Sequence, residues 1–265
     1  MGRLDPVFAR ARAEGRAALV GYLPAGYPTV DGSAERLAAM IDSGCDVVEI
    51  GVPYSDPVID GPTIQAAADV ALKGGFRLRD LFRVVEHVAS AGGHAVVMTY
   101  WNPVHRYGVD RFARDLAAAG GLGMITPDLI PDEAEDWLAA SAAHDLDRIF
   151  LVAPSSSAER LTSTTAATSG FLYATAVMGV TGARERVGSA AAGLVARARE
   201  HTDLPIAVGL GVRSGDQAAE VAGFADGVVV GSAFVSKADE VAGVRELAEE
   251  LADGVRRPVV PAAQT

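Results

Sequence analysis

Along the 265 residues of the chain, short runs rich in apolar and β-branched residues alternate with longer, Ala-rich amphipathic runs from one end to the other. The short runs fall at 17–23, 47–51, 95–100, 122–126, 148–152, 171–176, 206–209 and 227–230. Helical spacing recurs between them at 33–41, 63–72, 78–91, 110–119, 132–143, 158–165, 190–200 and 216–221, and 237–252 closes the chain as a further helix. Strand–helix alternation of this kind implies a parallel sheet. The short runs are nearly continuous in apolar residues, as strands covered on both faces must be. Eight such strands in a chain near the ~250 residues of a closed barrel favour an α/β fold of the (β/α)8 TIM-barrel type over a doubly wound sheet. No linker divides the chain, so residues 1–265 are expected to form one domain. The segment 254–265, with two prolines and small residues, is expected to fray.

Charge narrows the function classes. Lys and Arg number 23 against 34 Asp and Glu, a net charge of −11, which argues against a nucleic-acid partner. It leaves a phosphorylated small molecule open, because backbone N–H groups and helix N-termini hold one phosphate without a basic surface. The single cysteine, Cys45, forms no internal disulfide and reads as a small buried residue. Residues 1–16 are charged and lack the apolar core of a signal peptide, and no apolar run reaches membrane-spanning length. The expected location is the cytoplasm.

In such barrels the active site lies at the C-terminal ends of the strands. The second run reads Val47-Val48-Glu49-Ile50-Gly51. Side chains alternate across a strand, so Val48 and Ile50 suit the helix-covered outside and Glu49 points into the barrel near its top. A carboxyl there is costly unless it is ion-paired, protonated or used; the functional alternative is a general acid/base with a raised pKa. The loop that follows, 52–63, holds three prolines and two aspartates. Asp60 precedes Gly61-Pro62 and a helix, where an aspartate is often a turn residue; beside Glu49 it reads better as a paired catalytic carboxylate. The loop 177–184 carries two glycines and reads as a mobile lid or a plain surface loop. Gly209-Leu210-Gly211 and Gly231-Ser232-Ala233 follow the seventh and eighth runs, where barrels bind phosphate. A Gly-x-Gly is also an ordinary tight turn.

Schiff-base chemistry needs a lysine at a strand end, and Lys73 and Lys237 are badly placed for it. His87, His94, His105, His144 and His201 show no metal-ligand spacing, with only His105 read on a top loop, so no metal is expected. Carboxylates and a phosphate cradle without lysine or metal call for a substrate with its own electron sink, such as an indole protonated at ring C3.

The run Glu49-Ile50-Gly51-Val52-Pro53-Tyr54-Ser55-Asp56-Pro57, continuing through Asp60-Gly61-Pro62-Thr63-Ile64-Gln65, resembles the signature of the tryptophan synthase alpha-chain family. Gly21-Tyr22-Leu23-Pro24-Ala25-Gly26, Pro127-Asp128-Leu129-Ile130-Pro131, Gly179-Val180-Thr181-Gly182 and Gly231-Ser232 extend the resemblance from Tyr22 to Lys237. It implies retro-aldol cleavage of indole-3-glycerol phosphate to indole and glyceraldehyde 3-phosphate. By the same resemblance Glu49 is the acid/base at indole C3, Asp60 accepts the indole N–H, and Tyr173 lines the pocket beside Glu49. Tyr22, Tyr100 and Ile64 would flank the indole, with Thr181 a further substrate contact. Gly182, Gly211, Gly231 and Ser232 would hold the phosphate. Asp56 and Pro57 would face a pyridoxal-phosphate-dependent beta chain in an alpha2-beta2 heterotetramer, the alpha chain itself needing no cofactor. Three positions depart from the commonest family pattern: Leu210 where Phe is usual, Met178 where a polar residue is common, and Ile59 where Ala is common. A stand-alone lyase with the same chemistry, another phosphate-binding barrel and a non-enzymatic activator remain as alternatives.

Overall fold

The computed structural model describes residues 2–175, 184–209 and 211–257. Its strands are β1 (Ala18–Pro24), β2 (Val47–Gly51), β3 (Ala95–Met98), β4 (Gly123–Thr126), β5 (Asp147–Val152), β6 (Leu172–Thr175), β7 (Ile206–Gly209) and β8 (Gly227–Val230). They pair in parallel in chain order, and β8 closes on β1. The helices are α1 (Asp5–Ala13), α2 (Val30–Asp42), α3 (Pro62–Lys73), α4 (Leu78–Ser90), α5 (Trp101–Tyr107), α6 (Val109–Ala118), α7 (Glu135–Ala143), α8 (Ala158–Ala167), α9 (Arg184–Arg199), α10 (Gly215–Ala222), α11 (Ser232–Lys237) and α12 (Val241–Val255). The expected closed barrel is therefore what the chain forms.

The alternation along β2 divides the core as anticipated. Val48 and Ile50 pack with Leu37, Met40 and Leu81 in the layer between strands and helices. Val47 joins Val20, Val96, Ile125, Ile149, Ala207 and Val229 inside the barrel. Helix α1 closes the bottom of that interior. Its Val7, Phe8 and Ala11 belong to the same inner cluster, and the Phe8 ring lies 5.4 Å from that of Phe171. Pro6 in its first turn costs no hydrogen bond there.

Beside this plug Arg16 grips Asp46 with two bonds, Nη1 to Oδ2 at 2.6 Å and Nη2 to Oδ1 at 2.8 Å. Burial alone would raise the Asp46 carboxyl. The Arg16 bonds and the Leu19 N–H outweigh it and hold the group below its usual range.

Several boundaries move. Residues 101–107, read as loop, form α5, so His105 sits exposed on a helix rather than on a top loop. The closing helix expected over 237–252 is α12, which starts only at Val241, and a short helix not expected from the sequence, α11, precedes it directly after β8. Helix α12 runs to Val255, past the point where fraying was expected to begin. Gly254 explains it: a Cβ there would lie 2.7 Å from the Gly215 Cα, so α12 and α10 are in backbone contact at this residue. The predicted helix over 132–143 begins with a 3-10 turn, Pro131–Glu133, before α7. Among the described residues no helix is long and apolar enough to cross a membrane.

Candidate active site

Glu49 occupies the inner face of β2, in register with Tyr22 of β1 on one side and Val96 of β3 on the other. Only 1% of it is exposed, and among the described residues its Oε2 has no hydrogen-bond partner. Burial, with the nearby Asp60 charge adding to it, pushes the carboxyl up to about 8. An uncompensated carboxyl inside an apolar barrel holds its proton at neutral pH for this reason.

Two buried tyrosines crowd the same space. Tyr22 and Tyr173 are raised well above the usual phenol range, chiefly by burial and then by the Asp60 and Glu49 charges. Each ring leans over a glycine on the next strand. A Cβ at Gly51 would lie 2.6 Å from the Tyr22 ring, and one at Gly209 would lie 2.7 Å from the Tyr173 hydroxyl. Only glycine leaves room for either ring. Neither pairing was anticipated from the sequence, although both glycines end their strands and both tyrosines fall on inward positions.

Asp60 comes from the β2–α3 loop. It does not cap α3; that position falls to Gly61, followed by Pro62. Burial raises its carboxyl, while the Tyr100 hydroxyl, donating to Oδ2 at 3.3 Å, works the other way. Ile64, in the first turn of α3, meets the rim of β8: a Cβ at Gly231 would sit 3.4 Å from the Tyr22 ring and 3.6 Å from Ile64 Cδ1. Glu49, Asp60, Tyr22, Tyr173, Tyr100, Ile64 and Gly231 thus gather at the C-terminal mouth of the barrel.

Gly231 is the N-cap of α11 and Ser232 its first residue, so the short helix starts directly at the end of β8. Gly211, just past β7, has a φ of +69°, a left-handed conformation that a side chain would strain. Thr181, Gly182, Met178 and Leu210 lie outside the described residues. Asp56 and Pro57 do not join the cluster. Asp56 is exposed, paired with Ser55 Oγ at 2.6 Å, on a loop whose Val58 is 79% exposed and Ile59 48%.

Three of the histidines hold partners outside this cluster: His94 with the Asp46 carbonyl, His144 with Asp110 and His201 with Thr162. Among the described residues no group of His, Cys, Asp and Glu could hold a metal ion. Cys45 is buried, as expected.

A neutral acid beside a second carboxylate, walled by aromatic rings and rimmed by a helix start, suits acid/base work on a ring carrying an anionic tail. Residues 8–257 match the family model of the tryptophan synthase alpha chain. The chain is 66% identical over 259 residues to the tryptophan synthase alpha chain of Nocardia farcinica, covering 97% of each. It is 64% identical over 257 residues to that of Mycobacteroides abscessus, covering 97% of this chain and 98% of the relative. Among solved structures, that of Mycobacterium tuberculosis tryptophan synthase matches with a TM-score of 0.92 at 60% identity, over 97% of this chain and 99% of that one. The tryptophan synthase complex of Pyrococcus furiosus matches with a TM-score of 0.81 at 31% identity, over 89% of this chain and 98% of that one. The chain belongs to the tryptophan synthase alpha-chain family, the lyases that cleave indole-3-glycerol phosphate in tryptophan biosynthesis.

Proposed function

We propose that this chain performs the family's cleavage with Glu49 as the proton donor and acceptor and Asp60 as the charge that steadies the indole ring. The observation that carries the reading is the Glu49 carboxyl itself, buried, with one oxygen unpartnered among the described residues and its pKa pushed up to about 8. At neutral pH it holds a proton, and among the described residues its Oε2 has no partner. Asp60, in contact with a donor hydroxyl, is the carboxyl of the pair suited to stay ionised. Two carboxyls with opposed protonation states divide the roles of acid and anion.

In the proposed step Glu49 gives its proton to indole C3. Positive charge develops on the ring nitrogen, whose N–H donates to the Asp60 carboxylate. The Glu49 carboxylate then removes the proton of the side-chain hydroxyl next to the ring. The electron pair of that O–H bond becomes the aldehyde C=O, the bond from C3 to the side chain breaks, and its electrons return to the ring and neutralise the nitrogen. Indole and glyceraldehyde 3-phosphate leave, and Glu49 ends the cycle protonated as it began. Tyr22, Tyr100, Tyr173 and Ile64 supply the apolar walls, with Thr181 a further contact. Gly211, Gly231 and Ser232, with Gly182, supply N–H groups to the phosphate.

The same reading gives the β2–α3 loop a partner. Val58 and Ile59 expose apolar side chains beside Asp56 and Pro57, and Ile130 is 40% exposed on the β4–α7 connection. We assign this face to a tryptophan synthase beta chain in an alpha2-beta2 assembly. The pyridoxal phosphate chemistry that consumes indole belongs to that beta chain. The test is indole release from indole-3-glycerol phosphate by the purified chain, alone and with a beta chain. Release that rises on co-assembly supports both assignments. Absence of release in both conditions overturns the activity, and full activity with no association overturns the partner.

A further inference from the structure

Among the described residues the Tyr100 hydroxyl makes three hydrogen bonds, all with one segment of the β2–α3 loop. Its oxygen accepts the Val58 N–H at 2.9 Å and the Ile59 N–H at 3.1 Å. A phenol has one proton to donate. With two amides pointing at its oxygen, that proton goes to Asp60 Oδ2, 3.3 Å away. The distance exceeds the usual O–H···O separation of about 2.7–2.8 Å, as resting-state catalytic hydrogen bonds often do.

Among the described residues the segment has few other anchors. Val58 and Ile59 turn their side chains outward, so apolar burial holds them little. The Asp60 carbonyl accepts Gln65 Nε2 at 2.8 Å, which fixes the far end. Tyr100 itself is fixed. It is the N-cap of α5, the next N–H, from Trp101, is taken by both Asp128 oxygens at 2.8 and 3.1 Å, and Asn102 Nδ2 donates to Tyr54 Oη at 3.1 Å. The Tyr54 ring packs on that of Tyr100 at 5.2 Å. A rigid residue at the top of β3 thus holds the backbone of an otherwise weakly anchored loop.

We propose that Tyr100 is a positioning residue, whose hydroxyl holds residues 58–60 at the barrel mouth and sets the Asp60 carboxylate in the orientation that receives the ring N–H of the substrate. This rests on the role given to Asp60 above. Such a role needs the hydroxyl and not merely the ring, which distinguishes it from a wall of the indole pocket. The ionisable groups around Asp60 are Glu49 from β2, Tyr22 from β1, Tyr173 from β6 and Tyr100. Burial opposes ionisation of Asp60, whereas the Tyr100 hydrogen bond favours it, and the Asp60 charge in turn raises Glu49.

Tyr100→Phe tests this, because it keeps the ring and removes only the hydroxyl. The kcat for indole release should fall about ten- to hundredfold, the range for losing a hydrogen bond to a charged group, with KM little changed. The lost donor favours protonation of Asp60, so the acid limb of the pH–rate profile should move to higher pH. Exchange of the Val58 and Ile59 amide protons, read on the same folded variant, should quicken. Unchanged kcat and acid limb overturn the proposal, as does a fall in kcat with the acid limb unmoved or with amide exchange unchanged. Asp60→Asn separates the two ideas. If it cleaves normally, the role of Asp60 fails; if it is inactive while Tyr100→Phe behaves as the parent, only the role of Tyr100 fails.

Discussion

Replacing Glu49 by Gln should stabilise the protein, by an amount that depends on pH. Glu49 titrates at about 8 in the fold against a reference value of 4.5. In the unfolded chain it ionises above about pH 4.5; in the folded chain it keeps its proton until about pH 8. Folding therefore binds a proton between those limits, and stability falls as pH rises through them. Each pH unit costs about 1.4 kcal/mol, so at pH 7 the ionisable group destabilises the fold by on the order of 3 kcal/mol relative to a side chain that cannot ionise. Gln fills the same volume and has no such cost. The two proteins should match closely near pH 4.5 and diverge steadily above it, with the gap levelling off beyond about pH 8. Urea unfolding of the isolated chain across that range measures the gap directly. A gap independent of pH, or a Gln variant less stable than the parent at pH 7, would refute the reasoning, because it would mean that Glu49 is ionised and satisfied in the fold.

Three further substitutions probe the frame around the site. Gly209→Ala places a Cβ 2.7 Å from the Tyr173 hydroxyl; it should cost about 1–3 kcal/mol by overpacking and slow cleavage, and an unperturbed melt with full activity would show that the ring has room to move. Arg16→Ala leaves the Asp46 carboxylate, whose side chain is 4% exposed, with only the Leu19 N–H and the Arg10 guanidinium at 3.3 Å among the described residues, and should cost about 3 kcal/mol, the low end for breaking a buried pair, in urea unfolding. The pair holds Asp46 below its reference value of 3.8, so that loss should be full above this value and shrink as pH falls through the lowered one. Gly211→Asp puts a negative charge and a strained backbone at the proposed phosphate site and should raise KM for indole-3-glycerol phosphate strongly; an unchanged KM would remove Gly211 from that site.

The barrel was legible because its signal is periodic. Val47-Val48-Glu49-Ile50-Gly51 sorts its side chains by simple alternation, and the structure places Val48 and Ile50 outside and Val47 and Glu49 inside as that alternation requires. What escaped the sequence depends on contacts between distant residues. Helix α1 carries a readable pattern, Asp5-Pro6 at its start and buried Val7, Phe8 and Ala11 behind it, but its place as the barrel floor follows only from packing on Phe171. Helix α5 is only seven residues long, too short for helical spacing to show, and Pro103 in its first turn is tolerated there. Helix α11 went unread because its six residues follow β8 directly, and the start of α12 was placed early because Ala238-Asp239-Glu240 holds no Gly or Pro to mark the break. The site shows the same division. Glu49 and Asp60 stood out as carboxyls in apolar or loop-end settings. The Tyr22–Gly51 and Tyr173–Gly209 pairings, and the hold of Tyr100 on amides 41 and 42 residues away, arise only when the strands are brought side by side.

The central claim is that Glu49 moves the proton that breaks the carbon–carbon bond. Single-turnover cleavage of indole-3-glycerol phosphate by Glu49→Gln, with substrate binding measured on the same protein, tests it most directly. The account predicts a folded variant that still binds substrate and cleaves it at least ~10²-fold more slowly, the low end for loss of a general acid/base. Indole release at close to the parent rate would contradict it.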